Sequence, residues 1–218
     1  MSGALSAFFF VVAALFPIVN PIGMAPIFLS MTAGASPEAR RLLSGRIALG
    51  GLALLVVSMF VGTYVLAFFG LTLPAVQIGG GLLVSATGWR LLQGSDESRE
   101  RGNPELASDS AILRRSFFPL TMPLTVGPGS IAVAITLGSS APHTVGLVAQ
   151  AVGALAGLLA IAGSIYLCFR YADRLLRIVG ETGTDVIIRL SAFILLCLGI
   201  QILWRGVSAL LAGTPLAT

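Results

Sequence analysis

The chain has 218 residues, of which 56% are hydrophobic and only 10% charged, and its mean hydropathy is +0.96. Roughly 25% charged residues is usual for a soluble domain, so a soluble enzyme, a disordered tail and a nucleic-acid binder are excluded. The formal charge of +4 comes from 13 arginines, with no lysine, set against 9 acidic residues.

Residues 1–37, 47–89 and 116–169 carry no charge. Crossing the hydrocarbon core takes about 20 apolar residues, so the second and third tracts each hold two spans. Six spans are predicted, near Ala4–Ser30, Arg46–Phe69, Pro74–Leu92, Ser116–Leu137, Thr144–Phe169 and Val186–Leu210. The first apolar run has no basic residues before it and is read as a membrane span, not a signal peptide. Cys168 and Cys197 fall inside apolar runs and are read as small buried hydrophobes, not as a disulfide or metal pair.

Loop charges orient the array. Arg40, Arg41 and Arg46 follow span one; Arg90, Arg99, Arg101, Arg114 and Arg115 follow span three; Arg170, Arg174, Arg177 and Arg189 follow span five. The loops near Leu71–Leu73 and Ser139–His143 have no arginine, and only Arg205 falls on the other side. The positive-inside rule makes the arginine side cytoplasmic and places both termini outside. Residues 94–113 are polar and rich in helix breakers and are read as a flexible cytoplasmic linker.

The halves on either side of that linker, 1–93 and 114–218, share an order of elements at an offset of 107–111 residues. Half one opens with Phe16-Pro17-Ile18-Val19-Asn20-Pro21-Ile22-Gly23. Half two opens with Phe118-Pro119-Leu120-Thr121-Met122-Pro123 and then Gly127-Pro128-Gly129-Ser130. Both close on a span with a tryptophan near its end, Trp89 and Trp204. Three spans per half is an odd number, so the second copy enters from the opposite side. The expected fold is one all-α membrane domain: a polytopic six-span bundle of two inverted repeats, the first span of each broken. Such repeats are common in secondary transporters, with the substrate site at their interface near the midplane.

The breaks follow from proline. Proline lacks an N–H and clashes with the carbonyl four residues back. Pro17, Pro21 and Pro26 would free the carbonyls of Ala13, Pro17 and Ile22; Pro119, Pro123 and Pro128 would free those of Arg115, Pro119 and Leu124. Such backbone survives at membrane depth only where protein or a wet cavity satisfies it. Each break also creates a half-helix N-terminus with a positive dipole end. Ile22-Gly23-Met24 and Gly129-Ser130-Ile131 are the candidate amides for a carboxylate, which such an end can bind without an arginine. Freed carbonyls can accept from an ammonium, so a small zwitterion such as glycine or alanine fits. The alternative is that the prolines merely kink two helices.

Asn20, Thr32, Thr121, Thr125, Ser130 and Thr136 supply polar side chains near the breaks. Thr32 and Thr136 are read as interhelical hydrogen bonders; Asn20 and Ser130 are read as site lining. The candidate substrate-binding set is Asn20, Pro21, Ile22, Gly23, Met24, Thr121, Thr125, Gly127, Pro128, Gly129 and Ser130. No Asp, Glu or Lys lies inside a predicted span, and His143 falls in an outer loop. A nucleophile–base pair, metal ligands and a buried proton relay are thus missing, and no nucleotide-binding loop is present. Neither enzyme activity, cofactor nor metal is expected. Gly79-Gly80-Gly81 and Gly153–Gly157 are read as close-packing surfaces, within the monomer or at a homo-oligomer seam. Gln77, Gln150 and Gln201 are read as interfacial or bonded between helices.

The elements Asn20-Pro21-Ile22-Gly23 with Pro26–Thr32, Gly127-Pro128-Gly129-Ser130-Ile131, and Gln77-Ile78-Gly79-Gly80-Gly81 resemble the MarC family of bacterial and archaeal integral membrane proteins. The resemblance covers nearly the whole chain. That family is similar in architecture to the LysE group of amino-acid exporters and includes archaeal members described as transporters of glycine and alanine. Asn20, Pro21 and Gly23 match its first element, and Gly127, Pro128 and Gly129 its second. Thr125-Val126 departs from the smaller residues expected there. The resemblance implies an inner-membrane transporter of small neutral amino acids working by alternating access. The partners are then an amino acid and the bilayer, not nucleic acid. A passive channel is the first alternative. A non-transporting scaffold is the second, linked to the multiple-antibiotic-resistance locus that names the family.

Overall fold

The computed structural model describes residues 3–32, 34–93, 116–139 and 147–213. The linker 94–113 and His143 lie outside the described residues. Every element is helical: α1 Gly3–Val19, α2 Pro21–Met31, α3 Pro37–Phe68, α4 Leu73–Leu92, a π-helical segment Ser116–Thr125, α5 Pro128–Ser139, α6 Leu147–Arg170 and α7 Ala172–Gly213.

Among the described residues, four helical stretches are long and apolar enough to cross a membrane: Gly3–Leu29, Pro37–Phe68, Val148–Arg170 and Asp185–Ala212. Six spans were expected. The two that fall short have local causes. α4 carries Gln77, Gly79, Gly80, Gly81 and Gly88 and ends in Arg90. Span four is divided, which leaves α5 with 12 residues, about 18 Å of helix.

Two further boundaries differ from expectation. Span two begins nearer Pro37 than Arg46. Ser36 caps it, its Oγ accepting from Ala39 N at 3.1 Å, with Pro37 in the first turn. The 32 residues of α3 extend about 48 Å, well beyond an apolar slab of about 30 Å, so its arginine-bearing start overhangs. The arginines expected in a loop after span five sit on helix instead. Gly180 (φ 73, ψ 175) breaks α7 into a short foot and the span Asp185–Ala212. Only glycine takes that conformation without strain.

Small residues set which helices meet. A Cβ on Gly153 would run into the Ala4 backbone, and one on Gly157 would sit 2.9 Å from Val11 Cβ, so α1 and α6 run parallel. Gly51 lies on Val126, Gly62 on Ile135 and Gly138 on Met59, so α3 and α5 also run parallel. α4 and α7 are antiparallel and nearly in backbone contact. A Cβ on Gly81 would sit 2.5 Å from Leu203 N, one on Gly88 2.6 Å from Leu196 N, and one on Gly206 2.8 Å from Pro74 O. The seam has its own two-fold logic: Gly88 meets Leu196 as Gly199 meets Ser85, and Gly88 meets Ala192 as Gly81 meets Gly199. Adding 111 to a residue of α4 gives its counterpart in α7 in each pair.

The core cluster gathers Leu15, Val19, Met24, Phe28, Leu43, Ile47, Leu55, Leu120, Val126, Ile161 and Ile165. Phe28 and Phe169 stack with centroids 4.6 Å apart. The outside is just as apolar: Leu49 is 69% and Val148 77% exposed. A soluble monomer does not present such a surface; helices in lipid do. Cys168 is half-buried, but Cys197 is exposed, not buried as expected, on the α7 face that carries Phe193 and Ile200. That face points away from α4.

Candidate functional site at two helix breaks

The first break is a single residue. Asn20 sits in the left-handed region (φ 46, ψ 57), the one non-glycine residue to do so among those described. Asparagine tolerates this because its short amide bonds locally. Its Oδ1 accepts from Gly23 N at 3.2 Å and caps α2, which Pro21 opens. The chain stays hydrogen-bonded across the turn, with Asn20 N donating to Phe16 O at 2.9 Å and Met24 N donating to Asn20 O at 3.0 Å. Two of the expected free amides, Gly23 and Met24, are therefore taken by Asn20. Ile22 N makes no hydrogen bond among the described residues.

The second break is a wide turn. In the π-helical segment, hydroxyls reach carbonyls five residues back: Thr121 Oγ1 donates to Ser116 O and Thr125 Oγ1 to Leu120 O, both at 2.7 Å. Val126 N donates to Thr121 O at 2.8 Å. The wider turn and the threonine hydroxyls thus satisfy the Ser116, Leu120 and Thr121 carbonyls with partners five residues on, in place of the α-helical pattern that Pro119 and Pro123 interrupt. Gly127 follows, and Pro128 opens α5 as Pro21 opens α2. Ile131 N and Ser130 Oγ both donate to Gly127 O, at 3.1 and 2.8 Å. Gly129 N and Ser130 N make no hydrogen bond among the described residues.

The two breaks share one core, to which Val19 and Met24 bring break one and Leu120 and Val126 break two. α1 touches α5 and α2 touches the π-helical segment. Pro21, Gly23, Met24, Thr121, Thr125, Gly129 and Ser130 are buried, Asn20 and Gly127 half-buried, and Ile22 and Pro128 exposed. Thr121 faces α3, its side chain 3.2 Å from where a Cβ on Gly50 would stand.

Each break also meets the last helix of the opposite half of the chain, which the sequence did not reveal. A Cβ on Gly23 would fall 2.9 Å from Ser191 Oγ in α7. Gly129 lies against Val84 and Gly80 of α4. Ser191 was legible only as an isolated hydroxyl in an apolar run. The hydroxyl of Thr136 accepts from Gln77 Nε2 at 3.3 Å, joining α4 to α5 as an interhelical bond, while Thr32 Oγ1 turns back to Phe28 O at 2.7 Å. No group of three or more potential metal ligands occurs among the described residues.

An all-helical bundle with an apolar exterior and two interrupted helices in its core defines a polytopic integral membrane protein. A profile of the MarC family integral membrane proteins matches residues 5–211, and the chain belongs to that family. The inner membrane protein MarC of Salmonella typhimurium is 32% identical over 203 residues, covering 88% of this chain and 90% of the relative. The Citrobacter koseri protein of the same name is 32% identical over 199 residues with the same coverage. The membrane protein YhcE of Escherichia coli K12 is 30% identical over 205 residues, 91% of each chain. No solved structure matches.

Proposed function

We propose that this chain is an inner-membrane secondary transporter of small neutral amino acids, of the glycine and alanine class. In this reading six spans form two inverted repeats, with both termini outside, and the substrate lies between the breaks. One observation carries it: two proline-led half-helices, 107 residues apart, start at breaks whose flanking residues Val19, Met24, Leu120 and Val126 pack into one core. The Ile22, Gly129 and Ser130 amides would receive a carboxylate at positive helix ends. The Asn20 and Ser191 side chains, beside Gly23, would add polar contacts to the ammonium end.

The contact pattern supports the repeat. Exchanging span one with four, two with five and three with six turns the α1–α6 packing into α3 with the π-helical segment, and α2–α7 into α4–α5. The α3–α6 and α4–α7 pairs map onto themselves. Rocking one repeat against the other would then open each face in turn. A non-transporting scaffold is the second reading. It is favoured by the Thr125 and Ser130 hydroxyls, which are spent on their own backbone.

Flux of labelled glycine and alanine in proteoliposomes decides between them. The wild type should show saturable flux under an imposed gradient. Asn20→Ala and Gly129→Leu should lower it at least tenfold. Absence of substrate-dependent flux in the wild type under every gradient rejects the transporter, and flux that does not saturate indicates a channel.

A further inference from the structure

A cleft of about 240 Å³ opens where the start of α3, the end of α6 and the foot of α7 meet. Arg40, Arg41, Arg170, Arg174 and Arg177 converge on it with Tyr171. Asp173 is the carboxylate in its lining, and both its oxygens are engaged by Arg40 Nη1 at 3.2 Å. The Arg170 guanidinium stands over Tyr166 and Tyr171, 5.8 and 5.6 Å from their ring centres, and Arg174 lies 5.6 Å over Tyr171. Arg170 Nη1 is buried with no hydrogen-bond partner among the described residues. A buried donor left unmade is costly until an acceptor reaches it.

We propose that this cleft binds the phosphate of an anionic phospholipid headgroup. Arginine forks match phosphate oxygens two at a time, and basic pockets between membrane helices hold such headgroups. Its position commits the site to lipid over free phosphate. The cleft lies at the ends of the apolar stretches Pro37–Phe68 and Val148–Arg170, and Ile178 on the foot of α7 is 84% exposed beside it. Charge bias alone accounts for the side of the membrane, not for two distant segments converging on one concavity. The site is independent of what the helix breaks transport. The field inside it is already felt by Tyr171. Hydrogen bonding to Arg170, then the charges of Arg170, Arg174 and Arg41, hold that phenol below its usual range.

Native mass spectrometry of the full chain in detergent tests this, with phosphatidylglycerol, phosphatidylcholine and inorganic phosphate as separate probes. Phosphatidylglycerol should be retained well over phosphatidylcholine. Its affinity should fall about tenfold or more in Arg41→Gln/Arg174→Gln, and stay unchanged in Arg90→Gln, which removes charge elsewhere. Equal retention of both lipids, or equal loss in the control variant, overturns the proposal. So does binding of inorganic phosphate as strong as that of phosphatidylglycerol. Should the double variant not fold, the Tyr171 phenol supplies a second readout on otherwise intact protein, as the difference between wild type and Tyr171→Phe. Phosphatidylglycerol should raise its titration midpoint and phosphatidylcholine should not; an unmoved midpoint also overturns it.

Discussion

Asn20 concentrates three tasks in one side chain. It takes a left-handed backbone, caps α2 through Gly23, and stands beside Ser191. The tasks separate by substitution. Asn20→Gly keeps the backbone conformation and loses the cap, which should cost a few tenths of a kcal/mol, because glycine caps tolerably. Asn20→Ala loses both and should cost about 2 kcal/mol. Thermal unfolding in detergent measures the order. Equal stability of the two variants would show that the left-handed turn is not what Asn20 provides. The sequence marked Asn20 through its neighbours Pro21 and Gly23, yet its backbone role was illegible. A proline can be answered by a kink, a π turn or a left-handed residue. Break one takes the last and the π-helical segment takes the second.

Between elements, glycine is the currency of approach, but not every glycine counts. The run Gly79-Gly80-Gly81 was read as one packing surface; the structure divides it. Gly79 faces open space, Gly80 meets Ala132 and the start of α5, and Gly81 meets the α7 backbone. Gly88 and Gly199 complete the α4–α7 seam. Gly88→Val or Gly199→Val should therefore destabilise by about 1–3 kcal/mol or more, since backbone cannot yield as a flexible side chain can. Gly79→Ala should be neutral or stabilising by up to about 1 kcal/mol, through helix propensity. Melting curves of the three variants in one detergent check the contrast. A Gly79→Ala variant as damaged as Gly88→Val would move the seam elsewhere. Which of three adjacent glycines packs depends on the rotation of α4 about its axis, and composition does not carry that angle.

At the scale of the whole chain, the proposed inverted topology makes a spatial demand. Arg40 reaches Asp173 and donates from Nε to Thr32 O at 3.0 Å, so the ends of α2, α3 and α6 lie on one face. Leu71, just beyond the far end of α3, lies on the other. With Cys168 and Cys197 replaced by alanine, a membrane-impermeant maleimide applied to intact cells should label Leu71→Cys and spare Arg41→Cys. The opposite pattern would invert the orientation drawn from arginine placement.

Membrane embedding and the sites of interruption were readable from the residues in order. Both are local properties: a long run of apolar side chains is apolar wherever it folds, and proline lacks its N–H in any context. The α7 serine beside break one, the glycines that carry the seam, and the gathering of arginines from α3, α6 and α7 into one cleft were not. Those depend on how each helix is turned and crossed against its neighbours, which packing among distant segments sets and no short window of sequence contains.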